Sequence, residues 1–394
     1  MTESRQPDAP HDELSVVLGG PVYQALCRVR LLEPPLKKVA RRIAFVVLLV
    51  WLPLMVLSLL EGTALPGNVG LPFLHDVAAN VRFLVAAPLF VYAELPVHER
   101  TRHILLTFRE RGLIGPELLE RFRSRVAFVV RMRNSLVVEL GMLVLVFTLG
   151  PKAATSSAGL DPSNWCTQSG GGLTSAGWWF AHVSLPVVQF LLLRWLYRLL
   201  LWSYLMWRIS RLDLRLIPTH PDRSGGLGFL GEVTTVFAPL LFAMSSLVAG
   251  IGANQILQGQ ETLLSLKVEI GSFVGFVLVL VLTPLCFFAP RIAAAKRKGK
   301  VEYGALAARY TREFDDKWVR SAEPPTEPLL GNADVQSLAD LAGSYEIVAG
   351  MRPVPFGLDV ILAIVLPVLA PLAPLVLSVV PLDELLKRVF ELLF

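Results

Sequence analysis

The chain has 394 residues, of which 54% are apolar and only 18% charged, with a mean hydropathy of +0.56 and a formal net charge of +5. Two or three soluble domains would fit that length, but a soluble fold cannot hide so much apolar surface. In lipid only helices and closed barrels satisfy their own backbone, and apolar runs of about 17 residues or more are too continuous for barrel strands. The predicted fold is therefore all-α: a polytopic integral membrane bundle of about seven transmembrane helices with a small helical cytoplasmic cap.

Residues 1–43 form an N-terminal segment, polar at first. Its stretch PVYQALCRVRLL sets Val22, Leu26 and Val29 on one helical face, which fits an interfacial helix or one packed on its own protein. Spans 1 and 2 fall within 44–97. A basic amphipathic region occupies 98–133, and spans 3 and 4 fill 134–208. A loop with His-Pro-Asp and several glycines covers 209–231, spans 5 and 6 lie in 232–290, and a helical segment of soluble character fills 291–355. Span 7, within 356–380, carries Pro367, Pro371 and Pro374. Each removes a backbone donor and crowds the preceding turn, so the segment is a kinked crossing or a re-entrant hairpin. The tail 381–394 is amphipathic and suits an interface.

Orientation follows from the basic residues. The segments before span 1 and after spans 2, 4 and 6 hold 30 Lys and Arg, whereas the loops after spans 1, 3 and 5 hold 2. Positive residues stay inside, so the N-terminus is predicted cytoplasmic. The three cysteines, Cys27, Cys166 and Cys286, are scattered and make neither a CxxC pair nor a metal-ligand spacing, so no disulfide, metal or cofactor is expected. Because the charge is sorted by loop, it is no nucleic-acid footprint. The bilayer, a small anionic solute and a second copy of the chain are the partners this composition admits.

Chemistry is sought first in span 4. Trp178 to Trp207 would run about 43 Å as a helix and carries Arg194 and Arg198 one turn apart on one face. Trp178, Trp179, Trp202 and Trp207 read as interface anchors. A central arginine costs roughly 2.5–3.5 kcal/mol to insert, so it must face protein or water and find a partner. Glu139 in span 3 lies at a suitable depth. A Glu139–Arg198 pair is predicted, leaving Arg194 for an anion, water or a carbonyl. The set Arg194, Arg198 and Glu139 then reads either as a brace between spans 3 and 4 or as an anion-attracting pathway; inward snorkelling of Arg198 is the third reading. In span 2, Arg82 reads as snorkelling to the outer face, and Glu94 as pairing with a basic loop residue at the inner boundary.

The loop PTHPDRSGGLGFLG is the second candidate. Gly225 and Gly226 precede a helix and offer backbone amides to an anion, with Arg223 adding charge and His220 and Asp222 available for proton chemistry. Two ligands do not make a metal site. The plainer reading is a tight turn in which Asp222 or Ser224 caps the next helix. This loop, together with VQSLADLAGSYEIVAGMRPVPFG, resembles a group of bacterial multi-span inner membrane proteins with a HPDRSGGLGFL-type loop. The resemblance runs from span 4 onward and implies a bacterial inner membrane location; it brings no activity. Three functions remain open: a transporter or channel for a small, anionic solute; a membrane-embedded enzyme acting on a lipid or phosphorylated substrate at the cytoplasmic face; and a non-catalytic sensor or assembly subunit. An enzyme is the less favoured of these.

Overall fold

A computed structural model describes residues 39–158, 164–168, 171–321 and 327–376. The expected N-terminal interfacial helix, the end of span 7 and the amphipathic tail lie outside them. The described residues are helical, with only two isolated β-bridges in the loops. Among the described residues five helices are long and apolar enough to cross a membrane: α1 (Val39–Leu60), α2 (Val77–Glu110), α5 (Ser175–Ser210), α6 (Phe229–Leu257) and α7 (Lys267–Cys286). Between them lie α3 (Leu119–Arg133) and α4 (Leu136–Ala158), and after them α8 (Ala289–Phe314), α9 (Ala333–Ala349) and α10 (Leu358–Leu369).

Several elements outrun their predicted bounds. The second span was expected to stop near Pro96, yet the helix continues to Glu110. Pro96 falls in the first turn of the segment Glu94–Glu110, which restarts at the joint Ala93. In a first turn the missing proline N–H has no helical partner to lose. The seventh span behaves differently. α10 covers 12 residues, about 18 Å of rise against a hydrocarbon core of about 30 Å. It halts just before Pro371, and among the described residues a short turn, Ala373–Val376, follows. Ser245 Oγ on α6 donates to the carbonyl of Val368, tying α10 to the bundle next to Pro367.

Two wide turns mark the bundle. Residues 82–86 of α2 and 180–184 of α5 are π-helical. In each, a wide hydrogen bond closes the turn, from Ala87 N–H to the Arg82 carbonyl and from Leu185 N–H to the Phe180 carbonyl. In each, a proline comes next, Pro88 or Pro186. A proline has no N–H to give and crowds the preceding turn, so an inserted residue relieves both problems at once. The two turns meet: Phe83 and Phe180 pack edge to face at 6.0 Å, and the Arg82 guanidinium lies 5.9 Å from the Phe180 ring centre.

At this end of the bundle Asp76 is a hub. It caps α2 through Ala79 N–H at 2.8 Å and accepts from Trp165 Nε1 at 2.9 Å and from Asn254 Nδ2 at 2.8 Å. Trp165 is fully buried between Phe73 and Phe180. Trp202 is buried too, a correction to its reading as an anchor, whereas Trp178 and Trp207 remain exposed. At the opposite, basic end α8 and α9 pair as a hairpin. At Gly299 the hairpin packs on the preceding loop: a Cβ there would approach Pro218 to 2.6 Å and Val348 of α9 to 3.0 Å. Asp334 fastens the hairpin tip through Lys317 and Trp318.

Candidate functional site

The buried charges form one cluster. Glu94, on α2, lies at its centre. Its Oε2 accepts from Arg42 Nη2 of α1, and its Oε1 accepts from Arg198 Nη1 of α5 at 2.9 Å. Arg194, a turn earlier on α5, places Nη1 3.7 Å from the same Oε1 and Nε 3.8 Å from Glu139 Oε1 of α4. All five residues are at most 7% exposed. Four helices thus meet through one salt-bridge network. Arg198 is also held over the Trp195 ring at 5.1 Å, and Trp195 Nε1 donates to the Phe90 carbonyl.

Local structure places Glu94 there. It follows the joint at Ala93 and precedes Pro96, partway along the continuous α2. Its partners match in depth. Glu94 lies about 26 Å along the rise from Val77, Arg194 lies about 28 Å from Ser175, Glu139 falls in the first turn of α4, and Arg42 is among the first described residues of α1, at the basic end.

The predicted Glu139–Arg198 pair is therefore corrected. Arg198 pairs with Glu94, and Arg194, rather than being left for a ligand, is held between Glu94 and Glu139. Glu94 does pair with a basic residue from outside its own span, Arg42. Arg42 escaped notice as a site residue because it also reads as one more inside-positive charge before span 1. Among the described residues the cluster holds three cations and two anions, and Arg42 Nη1 is buried without a hydrogen-bond partner.

The His-Pro-Asp loop is built around Asp222. Its Oδ1 accepts from the amides of Ser224 at 2.9 Å and Gly226 at 3.1 Å, and its Oδ2 from Gly228 at 2.8 Å. The amides expected to cradle an anion are thus turned onto the loop's own carboxylate. His220 Nδ1 lies 3.0 Å from Asp222 Oδ1. Two glycines are required here. Gly226 has φ +97°, and a Cβ at Gly228 would meet Asp222 Cβ at 2.9 Å. Arg223 adopts φ +53°, left-handed for a non-glycine, and its carbonyl accepts from Arg352 N–H at 2.7 Å. Gly225, at φ +69°, packs on Leu216. Burial alone pushes the Asp222 carboxyl up, but the three amides, with His220, outweigh it and hold it below its ordinary value.

Two polar vestibules flank the seam between α2 and α6. At one end a cavity of about 510 Å³ is lined by Asp76, Arg82, Cys166, Phe180, Asn254 and Gln255. At the other, a cavity of about 580 Å³ is lined by Arg100, Arg111, His220, Glu232 and Arg352. The seam is pinned at both ends, by Ala78 N–H to Asn254 Oδ1 at 3.3 Å and by the Arg100–Glu232 ion pair at 3.0 Å. Ala78 to Arg100 on α2 and Glu232 to Asn254 on α6 each correspond to about 33 Å of helical rise. At the Ala78–Asn254 end the helices pack closely: a Cβ on Gly250 would come within 3.1 Å of Ala78 Cα.

Among the described residues these features define an all-helical protein with five candidate membrane helices, a buried charge network and a two-ended polar seam. The chain matches no protein-family model, no curated protein and no solved structure.

Two outcomes follow. Glu94→Gln takes the shared carboxylate from Arg42 and Arg198 and one of two from Arg194, so it should lower stability by about 3–5 kcal/mol, as for other broken buried pairs. Glu139→Gln, which leaves Arg194 its second carboxylate, should cost clearly less. Thermal unfolding in detergent measures both, and equal losses would refute the central place of Glu94. Asp222→Ala strips three amides of a charged acceptor and should cost on the order of 3 kcal/mol near neutral pH. A carboxylate held low by folding stabilises above its unfolded pKa of about 3.9, and that gain disappears as pH falls through the lower folded value. The melting gap between wild type and Asp222→Ala should therefore narrow below about pH 4.

Proposed function

We propose that the protein is a transporter or channel for a small anionic solute, with its path along the α2–α6 seam. One observation carries this reading: two arginine-bearing polar vestibules lie at opposite ends of one helix pair, about 33 Å apart, close to the thickness of a hydrocarbon core. Arg82 at one mouth and Arg100, Arg111 and Arg352 at the other would concentrate anions from either side. Gly250 against Ala78 lets the two helices close on each other at one mouth. The π turn that carries Arg82 and the proline-broken α10 against α6 are the kinds of helix interruption that recur at transport sites.

In this reading Arg194, Arg198 and Glu139 act as the brace beside the path, together with Glu94 and Arg42. The engagement of Asp222 with three amides weighs against an interfacial enzyme built on His220 and Asp222. The chain would sit in a bacterial inner membrane, N-terminus inside. α4 adds a sixth crossing to the five long apolar helices, and α10 with the turn Ala373–Val376 forms a broken seventh segment.

The purified protein in liposomes should carry chloride, phosphate or succinate in a saturable way, and Arg82→Gln should reduce that flux at least about tenfold, the worth of one charge-assisted contact. An Ala78→Cys, Asn254→Cys pair, once oxidised, should stop the flux until reduced. Absence of flux for all three anions through folded protein would refute the reading. For the orientation, single cysteines are introduced with Cys27, Cys166 and Cys286 replaced by serine. Gln168→Cys should react with an impermeant maleimide in intact cells, and Leu330→Cys only after permeabilisation; the reverse pattern would invert the topology.

A further inference from the structure

A crevice of about 210 Å³ runs between α1, α4 and α5, on the other side of α2 from the seam. Val91, which reaches it, and Arg100, at the seam, are about two and a half turns apart on α2 and so project oppositely. Its charged end is formed by Arg42 and Arg194. Away from that end every wall is apolar: Val46 and Leu49 on α1, Leu143 on α4, Phe190 and Leu191 on α5. The half-exposed rings of Phe45 and Phe147 stand at its rim, so it opens on the outer surface of the bundle.

The walls are ordered along the bilayer normal. From Arg42 to Leu49, α1 rises about 10 Å away from the basic end, and from Arg194 to Pro186, α5 covers about 12 Å in the same direction. The slot is therefore a polar floor at one depth with an apolar shaft leading toward mid-membrane. Its floor lies about 26–28 Å from the far ends of α2 and α5, where a hydrocarbon core of about 30 Å gives way to headgroups. Arg42 Nη1 is buried there without a hydrogen-bond partner, and the described cluster carries one more cation than anions. A buried guanidinium N–H left unmade is costly, and an anionic oxygen is the acceptor that repairs it.

We infer that this crevice holds one acyl chain of an anionic phospholipid from the leaflet at the basic end, with its phosphodiester on Arg42. The chain lies along Val46, Leu49, Leu143 and Phe190, and the phosphate oxygen takes the open Nη1 while Nη2 stays with Glu94. The site lies outside the proposed path and stands whether or not the protein transports anything.

The test is native mass spectrometry of the full chain released from vesicles of equal phosphatidylglycerol and phosphatidylethanolamine with matched chains. Wild type should retain one phosphatidylglycerol with about tenfold preference, the worth of one charge-assisted hydrogen bond. Arg42→Gln should lose the preference, and Leu143→Trp, which fills the shaft, should lose retained lipid of both kinds. Melting temperature reports whether each variant folds; Leu143→Trp leaves every charged contact in place and keeps the test decisive if Arg42→Gln fails to fold. Equal retention of the two phospholipids would overturn the assignment, as would unchanged retention in Leu143→Trp. Displacement of phosphatidylglycerol by added oleate at equal concentration would overturn it in favour of a free fatty acid.

Discussion

One carboxylate organises the membrane half of this protein. Glu94 receives Arg42 from the first helix and Arg198 from the fifth, and draws Arg194 toward it from the side. Charges in an apolar surround are tolerable only when they satisfy one another. Moving any one of α1, α2 or α5 away would break a contact that nothing apolar can replace. The cluster therefore fixes helix rotation and depth as much as it contributes energy. Shape alone would specify both weakly among helices whose surfaces are mostly Leu, Val and Phe.

Much of this architecture is legible in residue order. Long apolar runs bounded by arginines mark the helices, and Asp76 before Val-Ala-Ala-Asn is a readable helix cap. The arginines of span 4 announce a buried partner. The partner itself was not legible, because pairing across a bundle depends on which faces meet. Glu139 and Glu94 are both acidic residues at compatible depth, and only packing shows that Glu94 faces Arg198. Arg42 was hidden for a different reason: one basic residue in a basic stretch carries no mark of being turned inward. The glycine loop misled in another way. Its amides suit an anion, and the anion they hold is two residues from His220, in the same loop.

The same helix, α2, faces two different neighbourhoods. One side joins α1, α4 and α5 through charge; the other meets α6 through small residues, closed at its ends by Asn254 and Glu232. Salt bridges in low dielectric are stiff and directional. A contact ended by one exposed ion pair at one mouth and by the hydrogen bonds of Asn254 to Ala78 N–H and Asp76 at the other is easier to part. The bundle is thus divided into a rigid group and a partner helix that rests on it, with α10 carried along by its tie to α6.

The π turn at 82–86 supplies the geometry behind that division. Adding one residue to a turn displaces the azimuth of everything downstream by roughly 100°. Arg82 lies within the offset and Glu94 beyond it. Without the extra residue, α2 would aim its carboxylate along a bearing where no guanidinium waits. The wide turn is a phase shifter: it lets a single rod present one compass heading to water at its mouth and another to the charge network deeper in.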